Sequence, residues 1–233
     1  MSIKEPFFGF DRGLAAAAYR QRMLGARRLA PVKGALALDL GCGRGEEAAD
    51  LCKLGYRVDA LDLAAHPDWK TLAKAHPGRL HFREADASDA VPAGRYDLVV
   101  AKDMLHHAAD PVQVLRRMAA AVKPGGSVII TEANRWNPVF YVHLTLLGEH
   151  DHFSLRKLRR LLAEAGMAGG ELRRIEARVW PVNRAWAQRL VSAAQDLLQA
   201  LPVWWPFVCY HVYAWKRPVA AGKKRAASRR RAV

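Results

Sequence analysis

Leu38-Asp39-Leu40-Gly41-Cys42-Gly43-Arg44-Gly45 is an apolar run that ends in three glycines at alternate positions. Its pattern predicts a buried strand that turns sharply into a helix. Glycine is favoured where the backbone adopts a positive φ or approaches a bulky ligand, so these glycines predict a turn with little side-chain cover. We therefore expect a nucleotide-like ligand at this turn.

The register of the glycines separates two kinds of nucleotide site. The nicotinamide dinucleotide fingerprint G-x-G-x-x-G needs its third glycine at position 46, where this chain has Glu46 after Gly45. This mismatch, together with Asp39 just before the turn, argues against a pyrophosphate. An acidic residue here favours a cationic group, such as the amino group of a methionine-derived ligand.

Length and composition indicate one globular domain. The chain has 233 residues, of which 51% are hydrophobic, which allows a sizeable core. Its three cysteines, Cys42, Cys52 and Cys209, lack the spacing of a metal site and suggest no disulfide framework, which favours a reducing compartment. The first residues also lack the basic and apolar regions of a signal peptide, so we expect a cytoplasmic protein.

Positive charge is concentrated near the C-terminal end. The formal net charge is +15, and the residues from Lys216 onward include eight basic side chains and no acidic one. Because alanine, glycine and serine separate these charges, residues 218–233 cannot bury much apolar surface, and we expect a disordered basic tail. Such a tail suits an anionic membrane surface or a nucleic acid, although a charge run is often only solvated.

Strands and helices alternate along the chain. Strands are predicted at residues 35–40, 56–63, 79–84, 96–101, 127–132, 171–179 and 208–215, and helices at 14–30, 46–54, 67–74, 111–122, 155–165 and 184–201. The turn Lys123-Pro124-Gly125-Gly126 introduces the fifth strand. This alternation predicts an α/β fold with a doubly wound, mostly parallel sheet. We expect residues 1–33 to form a helical cap and residues 34–217 to form the α/β domain.

An apolar run at residues 197–215 is nearly long enough to cross a membrane. Pro202, Pro206 and His211 argue against a membrane span. An aromatic loop followed by a buried strand is therefore favoured here.

Polar residues follow the predicted strands, at the edge where a parallel sheet binds its ligand. Asp39 ends the first strand, and Asp62 ends the second at a spacing that suits a carboxylate bound to ribose hydroxyls. Asp86 follows the third strand and could accept a hydrogen bond from an adenine amino group. Lys102 follows the fourth strand. The edge therefore predicts a site for a nucleoside-containing ligand.

Together these motifs resemble the class I S-adenosylmethionine-dependent methyltransferases. The matching segments occur in that family's order within residues 35–135: Leu38 through Gly45, the strand end at Asp62, Glu84-Ala85-Asp86-Ala87, Tyr96-Asp97-Leu98-Val99-Val100, Met104-Leu105-His106-His107 with Asp110-Pro111, and Leu115 through Gly126. The resemblance implies S-adenosylmethionine as the cofactor. It also implies seven strands, of which the sixth and seventh form a late antiparallel hairpin, with helices on both faces of the sheet.

The resemblance also implies which residues bind the cofactor. The glycine turn would hold the methionine end, Asp62 the ribose, and Asp86 with Ala87 the adenine. The full expected set is Asp39, Gly41, Cys42, Gly43, Gly45, Asp62, Leu63, Asp86, Ala87 and Lys102. Structural alternatives stay open, because Asp39 could brace the turn and Asp62 could be a strand-end turn residue. Near Asp86, Asp89 could cap a turn.

Two histidines after the fourth strand are the candidates for catalysis. A histidine near its usual pKa of about 6.5 could take a proton from an acceptor hydroxyl, so His106 and His107 are the predicted catalytic residues. The alternative is that they shape the wall of the cofactor site. The cluster Glu149-His150-Asp151-His152 lacks a further well-spaced partner, so no metal site is predicted, and an acceptor-facing lid is a second interpretation of the cluster.

The acceptor is expected to bind after the fifth strand and in this lid, at Glu132, Asn134, Trp136, His150 and His152. Asn137 could also line the acceptor site, or form a simple turn with Pro138. An apolar cover for the acceptor could come from Trp136, Phe140, Tyr141, Leu144, Leu146, Leu147, Trp180, Trp186, Trp204, Trp205 and Phe207. Ordinary core packing is the alternative for these side chains.

The acceptor class follows less directly from the motifs than the cofactor does. No Asn/Asp-Pro-Pro-Tyr/Phe motif follows the fourth strand, which weakens methylation of base amines. We expect methyl transfer to a small-molecule or lipid-like acceptor at oxygen, and an amphiphilic acceptor at an anionic membrane surface would suit the apolar cover and basic tail. An RNA or protein methyltransferase that binds its substrate through the tail, and a cofactor-binding protein without turnover, are the alternatives.

Overall fold

A seven-stranded sheet forms the centre of the molecule. The structure is a computed structural model that describes residues 14–87, 91–142, 152–177 and 184–219. The strands are β1 (Leu36–Leu40), β2 (Arg57–Asp62), β3 (Leu80–Glu84), β4 (Tyr96–Lys102), β5 (Val122–Ala133), β6 (Glu171–Ile175) and β7 (Tyr210–Lys216). They lie in the order β3-β2-β1-β4-β5-β7-β6. Strands β1 to β5 pair in parallel, and β7 runs antiparallel to both β5 and β6, which confirms the predicted sheet.

Helices cover both faces of this sheet, as predicted. They are α1 (Leu14–Arg27), α2 (Glu46–Lys53), α3 (Asp68–Ala75), α4 (Pro111–Ala121), α5 (Leu155–Glu164) and α6 (Ala185–Ala200). Alternate residues of β1 point to opposite faces: Ala37 packs in the core with α1, α2 and α3, whereas Leu38 packs in the core with α4 and α5. The two cores therefore explain why the central strands β1 and β4 are apolar at most positions.

Strand β5 begins earlier than the sequence predicts. Its pairing with β4 shifts register between Tyr96, which pairs with Val122, and Leu98, which pairs with Ser127. The predicted turn at residues 123–126 is therefore a bulge within the strand, where proline and glycine are tolerated.

Strand β6 ends at Ile175, earlier than predicted. The backbone N–H of Glu176 donates to Oε1 of Gln199 on α6 (3.0 Å), so a side chain replaces the next strand-to-strand hydrogen bond. Residues 178–179 of the predicted strand lie outside the described residues.

The apolar run at residues 197–215 contains three elements. Helix α6 ends at Ala200, a 3-10 helix covers Pro202–Phe207, and β7 follows. Within the described part of the chain, no helix has the length and apolar character that a membrane crossing requires.

The topology separates two edges of the sheet: the one formed by the carboxyl ends of the parallel strands and the one formed by their amino ends. The order of the strands reverses between β1 and β4, so a ligand is expected at the carboxyl ends of these strands. At the opposite edge, Lys216 pairs with Ser127 near the start of β5, so the chain after Lys216 leaves the sheet away from the expected ligand. Residues 220–233 lie outside the described residues, and the basic tail and the domain division stay predictions.

Candidate cofactor and acceptor site

A cavity of about 330 Å³ opens between α1 and the glycine turn, beside the carboxyl ends of β1 and β4. The first helix therefore forms one wall of this cavity. The lining residues are Tyr19, Arg20, Met23, Leu24, Arg27, Asp39, Gly41, Cys42, Gly43, Arg44, Glu46, Glu47, Asp50, Lys102 and Asp103.

Asp39 places a buried carboxylate in the wall of this cavity. Its Oδ2 atom has no hydrogen-bond partner among the described residues, although Asp39 is almost fully buried. Burial raises the pKa of the Asp39 carboxyl to about 7, against the opposing attraction of Arg27 and Lys102. Because a buried polar atom without a partner is costly, the site favours a ligand that donates a hydrogen bond here, such as an ammonium group.

Arg27 is a candidate ligand-binding residue that sequence reasoning missed. It is the last residue of α1, it is buried, and its Nε and Nη2 atoms donate to Thr131 Oγ1 (3.1 and 3.0 Å). It also forms an ion pair with Glu47. Arginine is always charged and binds carboxylates well. Arg27 and Asp39 therefore offer opposite charges to the two ends of an amino-acid group, which fits the methionine moiety of the expected cofactor.

The three glycines of the turn have different roles. All adopt a positive φ, from 50° to 85°. A Cβ on Gly41 would lie 2.3 Å from the Met104 side chain, and one on Gly45 would lie 2.5 Å from the Phe82 ring. A Cβ on Gly43 would meet no atom of the described residues within 4 Å. Two glycines thus permit close packing of the protein itself, and Gly43 alone of the three faces open space.

Asp62 and Asp86 continue the site along the same edge. Asp62 accepts hydrogen bonds from the backbone N–H groups of Gly43 (2.7 Å) and Leu63 (2.8 Å). Each carboxylate oxygen has a second lone pair, so Asp62 can still accept from ribose hydroxyls. Asp86 follows β3 and is exposed. Since β3, β2 and β1 are neighbours, Asp86, Asp62 and Asp39 follow one another along the carboxyl ends of these strands.

Lys102, Cys42, Leu63 and Ala87 complete the expected cofactor set. The ammonium of Lys102 lies over the Tyr19 ring, 5.3 Å from its centroid, and 3.9 Å from Asp103 Oδ2. Burial raises the pKa of the Cys42 thiol, so this residue is a neutral part of the cavity wall. Leu63 is exposed and Ala87 is half-buried, both next to the carboxylates described above.

His106 and His107 differ sharply in environment. Nδ1 of His106 lies 2.8 Å from Oε2 of Glu132, and both side chains are almost fully buried. The other oxygen of Glu132 accepts from the backbone N–H of Leu105 (2.9 Å). Burial raises the pKa of the Glu132 carboxyl, and the hydrogen bond from His106 opposes this shift. His107 is exposed, with its ring centroid 4.1 Å from that of His106.

His152 joins this pair from the segment before α5. Its ring centroid lies 4.2 Å from that of His106. Ligand atoms of His106, Glu132 and His152 all lie within 4.8 Å of one another, so the trio could hold a metal ion as well as serve acid–base chemistry. The sequence grouped His152 with Glu149, His150 and Asp151, which lie outside the described residues. The acceptor-binding role of His150 therefore stays a prediction.

The remaining acceptor candidates are Asn134 and Trp136. The Asn134 side chain is buried and donates to the backbone oxygens of Pro206 (2.8 Å) and Val208 (2.9 Å). Asn137 donates in the same way to Phe207 (2.7 Å). Both asparagines thus fasten the 3-10 helix to the end of β5. Trp136 is exposed beside them, and its role in acceptor binding stays a prediction together with that of Asn134.

Comparison with known sequences finds methyltransferases. A family model described as "Methyltransferase domain" matches residues 38–130. A ubiquinone biosynthesis O-methyltransferase from Azorhizobium caulinodans is 32% identical over 180 residues, which cover 69% of each chain. A protein of the same name from Xanthomonas axonopodis is 35% identical over 119 residues, which cover 48% of each chain. The chain spans about half the length of the first curated relatives that it matches.

Solved structures share the fold at lower identity. The 1,6-didemethyltoxoflavin-N1-methyltransferase of Burkholderia thailandensis, with bound 1,6-didemethyltoxoflavin and S-adenosylhomocysteine, is 22% identical with a TM-score of 0.57, covering 88% of this chain and 76% of that one. Phosphoethanolamine N-methyltransferase 2 of Haemonchus contortus, in complex with S-adenosyl-L-methionine, is 19% identical with a TM-score of 0.62, covering 85% and 52%. At such identities the likeness establishes the architecture alone.

Proposed function

The chain belongs to the class I S-adenosylmethionine-dependent methyltransferase family, and we propose that it transfers a methyl group to a hydroxyl oxygen of a small-molecule or lipid-like acceptor. S-adenosylmethionine is the cofactor of this family, and it supplies an electrophilic methyl group on a sulfonium sulfur. The observation that carries the choice of oxygen is the buried pair of His106 and Glu132, 2.8 Å apart at the carboxyl edge of the sheet.

The cavity residues support specific roles in binding the cofactor. Asp39 would accept from the ammonium group, and Arg27 would bind the carboxylate of the same moiety. Asp62 would accept from the ribose hydroxyls, since its backbone donors leave lone pairs available. Gly43 would let the backbone approach the ligand, because its Cβ position opens onto space.

The histidine and glutamate support proton removal from the acceptor. A hydroxyl is a weak nucleophile until its proton is taken, and a positioned base typically contributes a factor of about 10²–10⁴ in rate. Nδ1 of His106 faces Glu132, so Nε2 is the atom that would receive the proton. The Glu132 carboxylate would stabilise the imidazolium that results. The acceptor oxygen would thus form a bond to the methyl carbon as the carbon–sulfur bond breaks and sulfur keeps the electron pair, while the hydroxyl proton would pass to His106.

The relatives and the cysteines support the remaining parts of the proposal. The curated relatives carry the name ubiquinone biosynthesis O-methyltransferase, which favours oxygen as the methylated atom over RNA or protein acceptors. Cys42, Cys52 and Cys209 are buried and form no disulfide bond, which favours a reducing, cytoplasmic location.

Methyl transfer from labelled cofactor tests this function. Purified protein is incubated with S-adenosylmethionine carrying a labelled methyl group and with separate panels of hydroxylated aromatics, amines, RNA and proteins. We expect label in the hydroxylated panel, as an ether stable to base. Label confined to RNA or protein would contradict the proposal.

The base is tested by a matched pair of variants. His106→Gln should lower kcat by about 10²-fold or more, whereas His107→Gln should have a much smaller effect, because His106 is buried against Glu132 and His107 is exposed. Calorimetry with S-adenosylmethionine is the control, since both variants should bind the cofactor as the wild type does. A larger loss of kcat in His107→Gln than in His106→Gln would show that His106 is not the base.

A further inference from the structure

Helix α6 has an inverted pattern of polar and apolar residues. Gln195 is its buried residue, and Gln199 points inward to accept from the Glu176 backbone. Trp186, Leu190 and Leu197 instead lie in one stripe along the opposite side, exposed by 66%, 63% and 63%. At about 100° per residue, Gln195 lies half a turn away from Trp186. The helix therefore presents its large apolar side chains to the outside.

Further large apolar side chains are exposed on the segments that follow α6 and β5. Val203 and Trp205 of the 3-10 helix are exposed by 77% and 41%, and Trp136 is exposed beyond the end of β5. We refer to these six residues, Trp136, Trp186, Leu190, Leu197, Val203 and Trp205, as the apolar face. Isolated exposed apolar residues are ordinary, but a group of this size marks an interaction surface.

The apolar face belongs to the site edge of the molecule. Helix α6 lies in the connection between β6 and β7, although antiparallel neighbours can be joined by as few as two residues. Asn134 and Asn137 fasten the 3-10 helix to the end of β5, and Asp196 of α6 pairs with Arg22 of α1 at 2.7 Å. The face is thus held next to the elements that form the cofactor cavity.

Charge around this face favours an anionic partner. The guanidinium of Arg174 lies 5.0 Å from the centroid of the Trp205 ring, and that of Arg135 lies 5.8 Å from the centroid of Trp136. Arg189 is exposed on α6, while Asp196, the acidic residue of α6, is already paired with Arg22. A second copy of this chain would bring the same arginines together, and the net charge of +15 also opposes self-association.

We propose that the apolar face docks the protein onto the surface of an anionic phospholipid bilayer. Tryptophan and leucine side chains would enter the boundary between headgroups and acyl chains, and the flanking arginines would contact lipid phosphates. Resting on the lipid-like acceptor of the proposed function, this docking would bring the carboxyl ends of the strands, with the cofactor cavity, to the bilayer that holds such an acceptor.

Vesicle flotation with the full chain tests the proposal. The vesicles contain phosphatidylcholine alone or phosphatidylcholine with phosphatidylglycerol. Wild-type protein should float with the anionic vesicles, and the triple variant Trp186→Gln/Leu190→Gln/Leu197→Gln should bind them at least tenfold more weakly. Glutamine is a good helix former, and circular dichroism checks that the variant folds. Equal binding of the variant and the wild type, or no binding of the wild type, would overturn the proposal.

A matched control removes an apolar side chain elsewhere. Val219 is 69% exposed and follows β7 at the opposite edge of the sheet, so Val219→Gln should bind the vesicles as the wild type does. Sedimentation without lipid distinguishes self-association. A wild-type dimer that the triple substitution converts to a monomer, with vesicle binding unchanged, would make the face a contact between two copies and reject the bilayer.

Discussion

Asp39 is a residue whose protonation should control cofactor binding. Burial raises its pKa to about 7, and an ammonium group binds the ionised carboxylate. The affinity should therefore rise with pH as Asp39 loses its proton. We expect S-adenosylmethionine to bind roughly tenfold more weakly at pH 6 than at pH 8, in proportion to the ionised fraction of Asp39.

Calorimetry at several pH values measures this dependence. Asp39→Asn is the matched control, because an amide of the same size cannot ionise. It should bind weakly at every pH, with the pH dependence lost. The same dependence in Asp39→Asn and the wild type would assign the titration to another group.

Glu132 should affect the chemical step more than the binding of the cofactor. In Glu132→Gln the amide oxygen can still accept from the Leu105 backbone, but the neutral side chain no longer stabilises a charged His106. We expect kcat to fall by about 10²-fold, with the affinity for S-adenosylmethionine unchanged. The melting temperature should not fall, since a neutral amide costs less to bury than a carboxylate. A loss confined to KM would contradict this role.

Metal removal distinguishes two uses of the trio His106, Glu132 and His152. If the trio moves a proton, dialysis against a chelator should leave methyl transfer unchanged. Their ligand atoms, within 4.8 Å of one another, also suit a divalent cation. Activity that is lost on dialysis and restored by a divalent cation would make the trio a metal site instead.

The residues that sequence reasoning identified share one property: they lie within a short motif. Asp39 and Asp62 stand at strand ends that a local pattern marks. Arg27 does not, because its role depends on its contact with Thr131, which is distant in the sequence. His152 was predicted at the acceptor site, but its contact with His106 was not. A lone arginine at the end of a helix carries no local signal of that kind.

At the scale of single elements, the glycine turn allows the energetic cost of backbone strain to be separated from that of overpacking. In Gly45→Ala, at a φ of +85°, the new Cβ would lie 2.5 Å from the Phe82 ring. In Gly43→Ala, at a φ of +50°, the new Cβ would lie more than 4 Å from every atom of the described residues outside its own chain neighbours. We expect Gly43→Ala to cost about 1 kcal/mol of the free energy of unfolding, for backbone strain alone. Gly45→Ala should cost about 3 kcal/mol, because overpacking adds to that strain.

Urea unfolding measures the free energy of unfolding of both glycine variants, and calorimetry compares their binding of S-adenosylmethionine. Gly43→Ala should weaken S-adenosylmethionine binding in a protein that remains folded, since its methyl group would enter the cavity. Equal losses of stability in the two variants would show that Phe82 moves aside without cost.

The elements themselves were predictable wherever one pattern dominated. The central strands β1 and β4 are apolar at most positions, and the bounds of β1 to β4 differ from the predicted ones by a residue or so at either end. The bulge in β5 was not predictable. The sequence Pro124-Gly125-Gly126 indicates a turn, and only pairing with a neighbouring strand makes it part of β5. Helix α6 was predicted, but its orientation was not, because the sequence alone cannot show which stripe faces the core.

At the scale of the whole molecule, the two edges of the sheet differ in charge and in role. Asp39, Asp62, Glu132 and the apolar face lie at the carboxyl edge, and the chain after Lys216 leaves from the opposite edge. The basic tail therefore begins far from the cofactor cavity. This arrangement favours a tail that acts on partners of the whole protein and not on the chemistry of the site.

Deletion of residues 220–233 tests this separation. It removes six basic residues and no acidic one, and it leaves the pairing of Lys216 with Ser127 intact. We expect the melting temperature and the affinity for S-adenosylmethionine to stay at their wild-type values. Nonspecific binding to duplex DNA should weaken, and the slope of log K against log salt should fall by up to about 5, since each phosphate contact contributes about 0.9. A fall in cofactor affinity would instead mean that the tail reaches the site edge.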